Sequence, residues 1–389
     1  MASLPDLIRE TYARALDAPA APRTIDDVPL SYDRITPEWL TAVLCRRAPG
    51  AAVTDFRLGE ASDGSSNRQR IFVDYNPAGQ DAGLPPSVFC KGAMKLANRV
   101  MLGMNLIIDS EASFFNQIQD RIETLTPPRI HAAADRDRFG YVVVMEDLTE
   151  GALFPDESHE ISRANAEDMV AQLAALHGAF YGSPELGTAS IPYMNYADWW
   201  VHQTKVAPDF ADRCDVAFGD CEAIIPPRLF ARRSEIWPRT MEAGALHHRL
   251  PRMLTHCDVH LRNWFILDGR MGLCDWQVTQ IGHWSRDFIY AMATALTIED
   301  RRAWLEDLLR LYLDELVARG GEKVGFAEAM KLVRQQLAQA LAFWTITYRP
   351  ARDMPNMQPD ATSLCFIERI TAAMDDLDAL DSYEGPASA

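Results

Sequence analysis

The chain has 389 residues, 48% of them apolar, which suffices for two or three folding units each with its own core and sets disorder aside. Lys and Arg number 38 against 55 Asp and Glu, a formal charge of -17 that repels polyphosphate backbones and anionic lipid and so excludes a dedicated nucleic-acid or membrane-surface protein. The 7 cysteines are odd in number and form no CxxC pair, the usage of a reducing compartment. MASLPDLIRE lacks a basic start and an apolar leader, and no run approaches the roughly 18 apolar residues of a membrane span. The expectation is a cytoplasmic, unanchored protein.

In chain order, Leu4, Ile8, Tyr12 and Leu16 have helical spacing, followed by a Pro/Ala-rich link from Ala18 to Arg23. From Val53 the texture changes to short β-like runs: Val53 to Gly59, Arg70 to Tyr75 and Val88 to Lys91. The segment Ala61 to Asn67 joins the first two with small and polar residues, as a hairpin loop whose backbone N–H groups can approach a ligand. Leu106 to Ile122 is helix-compatible, and Tyr141 to Met145 is an apolar run of buried-strand length ending in Glu146-Asp147-Leu148. From Glu167 the spacing is helical, in Met169, Val170, Leu173, Leu176 and Phe180 and again in Leu305, Leu308, Leu309, Tyr312 and Leu316. A strand-rich first third and a helix-rich remainder suggest two lobes with a hinge near residues 146 to 150. Residues 381 to 389 read as a free tail.

The densest polar cluster in apolar surroundings is His256-Cys257-Asp258-Val259-His260-Leu261-Arg262-Asn263, with a second apolar run leading into Asp275-Trp276-Gln277. Burying such groups costs several kcal/mol unless they bond to something. Two chemistries answer that demand: a zinc-dependent hydrolase using His256, Asp258 and His260, or a phosphoryl-transfer site using Asp258, Asn263 and Asp275. The four residues between Asp258 and Asn263 reproduce the interval between the catalytic-loop aspartate and the metal-binding asparagine of kinases, and Asp275 adds an acid on the next apolar run. One carboxylate orients the acceptor hydroxyl, while an amide oxygen and a second carboxylate hold Mg²⁺, because hard cations prefer oxygen. Spacing therefore favours phosphoryl transfer.

The run His256 to Asn263 with Cys274-Asp275-Trp276-Gln277 resembles the signature of aminoglycoside phosphotransferases, choline kinases and ecdysteroid-kinase-like proteins. Val142 to Leu148 is similar to the hinge segment of the last branch, and Leu173-Ala174-Ala175-Leu176-His177 to the helix after it. The resemblance spans roughly residues 50 to 300. It implies an α+β, protein-kinase-like two-lobed fold, with a small antiparallel sheet lobe and a large helical lobe. The division expected is a helical extension and linker over 1–50, a nucleotide-binding lobe over 51–149, a helical lobe with catalytic loop and acceptor pocket over 150–380, and the tail.

The same resemblance implies ATP and Mg²⁺ as cofactors and a small-molecule alcohol as acceptor, and leaves oligomeric state open. Asp258 would be the catalytic base or hydroxyl-orienting group, with Asn263 and Asp275 on the metal. Lys91 would contact the phosphates, with Lys95 as rival, and Glu111 would be its ion-pair partner. Ser65 and Ser66, in the loop from Ser62 to Asn67, cover the phosphates or form a plain hairpin turn. Glu146 to Leu148 would meet the adenine. Cys257 stands where many relatives have glycine, so the backbone there must accept a side chain.

Among the neighbours, His256 is expected to hold the catalytic loop rather than react, and His177 to be a satisfied core histidine. Arg262 and His260 either stabilise developing charge or belong to the loop. Asp287 is expected as helix cap or loop clamp, Trp276 as packing that fixes Asp275, and Gln277 as a supporting partner. Tyr196, Trp199, Trp200, Trp344 and Tyr348 either line an acceptor pocket or form core. No long segment follows Asp275 of the kind that binds a peptide substrate, which disfavours protein phosphorylation. A non-catalytic nucleotide-binding pseudokinase is the remaining alternative.

Overall fold

The computed structural model describes residues 3–17, 21–351 and 357–384. Residues 18–20 of the Pro/Ala-rich link and 385–389 of the expected tail lie outside the described residues. The chain divides into two compact units, Met1–Asp120 with Pro127–Gly151, and Arg121–Thr126 with Ala152–Ala389.

The first unit is built on a five-stranded antiparallel sheet. Helix α1 (Leu4–Asp17) lies beside α4 (Leu96–Met104), where Gly103 leaves room for Ile8: a Cβ there would come within 2.8 Å of the Ile8 side chain. Helix α2 (Pro37–Leu44) starts with proline at its first turn and is capped by Thr36, which accepts from the Trp39 N–H. Strands β1 (Val53–Asp63) and β2 (Asn67–Tyr75) form the first hairpin, followed by the short helix α3 (Pro77–Asp81), β3 (Ser87–Gly92), β4 (Arg129–Asp135) and β5 (Gly140–Glu146), in the sheet order β1-β2-β3-β5-β4. Trp39, Leu40 and Val43 of α2 pack with Ile71, Val88, Cys90, Val142 and Val144. Strand β2 alternates in burial, as one solvated face requires, whereas β5 lies between β3 and β4 and is buried from Gly140 to Met145.

The continuous helix expected over Leu106 to Ile122 is broken. Leu106 takes a left-handed φ of 58° just after α4, helix resumes only as α5 (Ser110–Ser113), and the chain then widens into a π-turn over Phe114–Ile118. Phe114, Phe115 and Ile118 are all buried there, so burial of neighbouring side chains overrides regular helical spacing.

The second unit is mostly helical. It contains β6 (Ala152–Leu153), α6 (Arg163–Ala179), α7 (Tyr196–Val206), α8 (Phe210–Asp220), α9 (Pro227–Phe230), α10 (Arg233–Leu246) and β7 (Met253–Thr255). Then follow β8 (Trp264–Leu267), β9 (Arg270–Leu273), β10 (Gln280–Gly282), α11 (Trp284–Ala295), α12 (Ile298–Ala318), α13 (Phe326–Tyr348) and α14 (Asp360–Asp376). β7 pairs with β10, and β6, β8 and β9 form a second small antiparallel sheet. Every residue of α11 is buried, so this helix has no solvent face and runs through the unit's core. Residues 381–383 are anchored rather than free: Ser382 is buried, its carbonyl accepts from Gln335, and the Tyr383 hydroxyl donates to the Arg239 and Gln335 carbonyls. No helix among the described residues is long and apolar enough to cross a membrane.

Each unit carries a histidine that burial keeps neutral: His131 is pushed down to about 4, with help from the Arg46 charge, and His247 to about 3. The unfolded chain takes up these protons near pH 6.5 and the folded chain does not. Stability present above about pH 6.5 is therefore lost as pH falls toward the folded values, by about 2 kcal/mol per ring at pH 5. Urea unfolding should show lower midpoints at about pH 5 than at about pH 7.5; equal midpoints would mean that neither ring resists protonation.

Candidate functional site

In the first unit the sequence places Lys91 on β3 and Glu111 on α5, and the fold pairs them. Lys91 Nζ lies 2.8 Å from Glu111 Oε1, with side-chain exposures of 4% and 2%. The Tyr141 hydroxyl, from the start of β5, donates to Glu111 Oε2 at 3.1 Å. A buried charge of either sign needs such partners, because removing one leaves the other without compensation. The rival Lys95 instead meets Asp63 at the surface, 2.6 Å away.

The hairpin turn between β1 and β2 is tied to the start of α4. Asn67 Oδ1 accepts from the Met94 and Lys95 N–H groups, its amide nitrogen donates to Asp63, and Asn98 donates to the Gly64 and Ser65 carbonyls. The Ser66 hydroxyl is buried without a hydrogen-bond partner among the described residues. At the end of β5, Glu146 is exposed, and Asp147 takes the structural load. It accepts from Arg70 and Ser87 at 2.7 Å and from the Thr149 N–H and hydroxyl. Burial alone would raise the Asp147 carboxyl, but the Ser87, Thr149 and Arg70 bonds outweigh it and hold it below the usual carboxylate range.

In the second unit the polar cluster forms a loop from His256 to His260, between β7 and a 3-10 turn over Leu261–Asn263. Cys257 takes a φ of 66°, the left-handed region in which a side chain is strained by roughly 1–2 kcal/mol. The first turn of α11 holds it there. Asp287 Oδ2 accepts from the His256 N–H at 2.7 Å and Oδ1 from the Cys257 N–H at 3.1 Å, while Arg286 donates to the Cys257 carbonyl at 2.6 Å. Asp287 is thus the loop clamp, and the helix cap is His283, which accepts from the Ser285 N–H.

Asp287 is fully buried, and burial would raise its pKa. The His177 hydrogen bond, 3.3 Å from Oδ2, together with the charge of Arg286, holds the carboxyl low. His177 is satisfied on both sides, its other nitrogen meeting the Tyr312 hydroxyl at 2.7 Å.

His256 spends both ring nitrogens on the main chain: Nδ1 accepts from the Asp258 N–H at 3.1 Å, and Nε2 donates to the Cys274 carbonyl at 3.0 Å. Burial lowers its pKa, which suits this neutral tautomer. With no nitrogen lone pair left, His256 is unavailable to zinc, and no group of three His, Cys, Asp or Glu among the described residues is placed to hold a metal ion.

The Asp258 side chain is 24% exposed. Its Oδ1 accepts from the Tyr290 hydroxyl at 3.2 Å, and its Oδ2 lies 3.3 Å from Asn263 Nδ2 and 3.6 Å from His260 Nε2. Asn263 Nδ2 also donates to the Asp258 carbonyl at 2.7 Å, which turns the amide oxygen away from Asp258. The Cys274 N–H donates to the Asn263 carbonyl at 2.8 Å, so Asp275 emerges beside Asn263, itself at a left-handed φ of 64°. Burial lowers the pKa of both His256 and His260, and the charges of Asp258 and Asp275 oppose it. Trp276 is fully buried and meets His256 edge-on at 4.6 Å.

Arg262 is engaged elsewhere, donating to Thr362 of α14 at 2.8 Å and lying 3.4 Å from Glu157. Tyr196, Trp199, Trp200 and Trp344 are buried as core. Sequence reasoning missed Asp147, Tyr141, Arg286 and Tyr290. Only Tyr290 left a signal, three residues after Asp287 and so on the same helical face.

The helix α11 clamp, the asparagine and the two carboxylates all lie within residues 109–324, which match the model of the phosphotransferase enzyme family. No curated protein sequence matches the chain. Among solved structures, the GDP complex of wild-type aminoglycoside 2'-phosphotransferase-IIIa is similar with a TM-score of 0.50 at 12% identity, over 86% of this chain and 97% of that chain. Choline kinase from Cryptosporidium parvum Iowa II gives 0.49 at 11% identity, over 87% and 94%. Plasmodium vivax ethanolamine kinase gives 0.46 at 8%, over 84% and 83%. At 12% identity the likeness to the aminoglycoside 2'-phosphotransferase-IIIa is one of fold alone, and the family rests on the matched segment, more than half of the sequence: the chain belongs to the phosphotransferase enzyme family.

Proposed function

We propose that the protein is an ATP- and Mg²⁺-dependent O-phosphotransferase acting on a hydroxyl of a small molecule. The observation that carries this reading is the contact of Asp258 with Asn263, 3.3 Å apart, just after a backbone clamped by a buried carboxylate, with Asp275 next to Cys274, whose N–H donates to the Asn263 carbonyl. Asp258 accepts or orients the acceptor's hydroxyl proton as the acceptor oxygen bonds to the γ-phosphorus and the bond to the β-phosphate oxygen breaks. Asn263 and Asp275 suit Mg²⁺: the Asn263 amide nitrogen is spent on Asp258, which leaves its oxygen as donor, and two protein oxygens are enough for an ion that keeps waters and phosphate oxygens. When bound, that ion neutralises charge on the phosphoryl oxygens.

Lys91 contacts the α- and β-phosphates, held by Glu111, while the Glu146 to Leu148 backbone meets the adenine. Ser65 and Ser66 cover the phosphates, a role supported by the unpartnered Ser66 hydroxyl. His256 acts by holding the loop. The nucleotide in the GDP complex of the aminoglycoside 2'-phosphotransferase-IIIa supports nucleotide use. Seven free cysteines, five of them buried, support a cytoplasmic setting.

ADP release from Mg-ATP, measured over a panel of kanamycin, choline, ethanolamine and hydroxylated steroids, tests the reading. Asp258→Ala should lower turnover on the order of a thousandfold and leave the Kd for Mg-ATP nearly unchanged. Undiminished turnover would remove Asp258 from its role, and nucleotide binding without transfer to any alcohol would favour a pseudokinase. Removing divalent ions should abolish turnover, and Mg²⁺ alone should restore it. The clamp has its own signature: Asp287→Ala strands two buried N–H groups and should cost about 3 kcal/mol in urea unfolding. A stability equal to the wild type would show that the loop holds itself.

A further inference from the structure

Tyr290 lies in the second turn of α11, fully buried, and its hydroxyl reaches Asp258 Oδ1 at 3.2 Å. The other carboxylate oxygen lies between Asn263 Nδ2 and His260 Nε2, at 3.3 and 3.6 Å. The two oxygens of Asp258 are therefore not equivalent. An aspartate side chain rotates in a broad, roughly two-fold well about its last bond, and a donor fixed on a buried helix removes that freedom.

The phenol ring is itself held. The Arg286 guanidinium lies 5.4 Å from its centre, the Phe343 ring 6.3 Å away and the His260 ring 6.4 Å away. Burial, followed by the Asp258 charge, keeps the hydroxyl protonated well above the usual range, so it serves as a constant donor.

We propose that Tyr290 is a positioning residue for the transfer step: its hydroxyl fixes Asp258 Oδ1 and thereby presents Oδ2 to the acceptor hydroxyl. The inference rests on Asp258 being the group that meets the acceptor. Arg286 and Asp287 set the backbone of residues 256 and 257 from the preceding turn of the same helix, so α11 fixes the loop backbone first and the side chain second.

Tyr290→Phe keeps the ring and its packing and removes only the donor, and near-ultraviolet circular dichroism checks that the fold is retained. With the best acceptor of the panel, kcat should fall about tenfold while KM for Mg-ATP stays unchanged, because orientation acts on the transition state. An unchanged kcat, or a loss expressed only in KM, overturns the proposal. A thermal-unfolding cycle reads the contact without turnover. Tyr290→Phe should lower the Tm of the wild type but not that of Asp258→Ala, and additive shifts overturn the contact. A non-additive cycle in a protein that phosphorylates no alcohol sinks the kinase reading while leaving Tyr290 as the anchor of Asp258.

Discussion

The second unit depends on one buried carboxylate. Asp287 sits at the start of a helix with no solvent face, and it accepts from two consecutive backbone N–H groups of a loop that is 31 residues away in sequence at His256. A carboxylate in that setting is costly unless its lone pairs are filled, and here two amides, His177 and the Arg286 guanidinium fill or face them. The clamp permits the strained backbone at Cys257, and that backbone in turn lets Asp258 project toward partial exposure. The order of dependence runs from helix to loop to the partly exposed carboxylate.

The first unit solves a similar problem with opposite charges. Lys91 and Glu111 come from a central strand and from a short, irregular helical segment, and neither is tolerable alone at its burial. The π-turn after Glu111 belongs to this solution, since it lets Phe114 and Phe115 both turn inward while the glutamate just ahead of them faces the strand. Asp147 does comparable work at the end of β5. It binds side chains of β2 and of the first residue of β3, and so fixes the backbone on which the adjacent exposed residues stand.

Several groups whose chemistry draws attention are structural. His177, His256 and His283 each bond to neighbouring protein groups, and burial keeps His256, His260 and His283 neutral. Arg262, next to Asn263, is tied to α14 and Glu157 instead of facing a phosphate. A polar residue in an apolar run answers first to the need for a hydrogen-bond partner.

How much of this was legible depends on distance along the chain. The spacing of Asp258, Asn263 and Asp275 is a local property: a 3-10 turn follows the loop that carries Asp258 and leaves Asn263 3.3 Å from it, and the short hairpin of β8 and β9 returns the chain to the Asn263 carbonyl through the Cys274 N–H, one residue before Asp275. Four of the five strands of the large sheet were equally visible, because period-two burial in β2 and the apolar run of β5 are written into consecutive residues, whereas β4 was not expected. The clamp rather than cap role of Asp287 and the contacts of Asp147, Arg286 and Tyr290 arose only in three dimensions. Each depends on a hydrogen-bond partner supplied by another element, and one-dimensional periodicity records which face a residue occupies but not what lies opposite it.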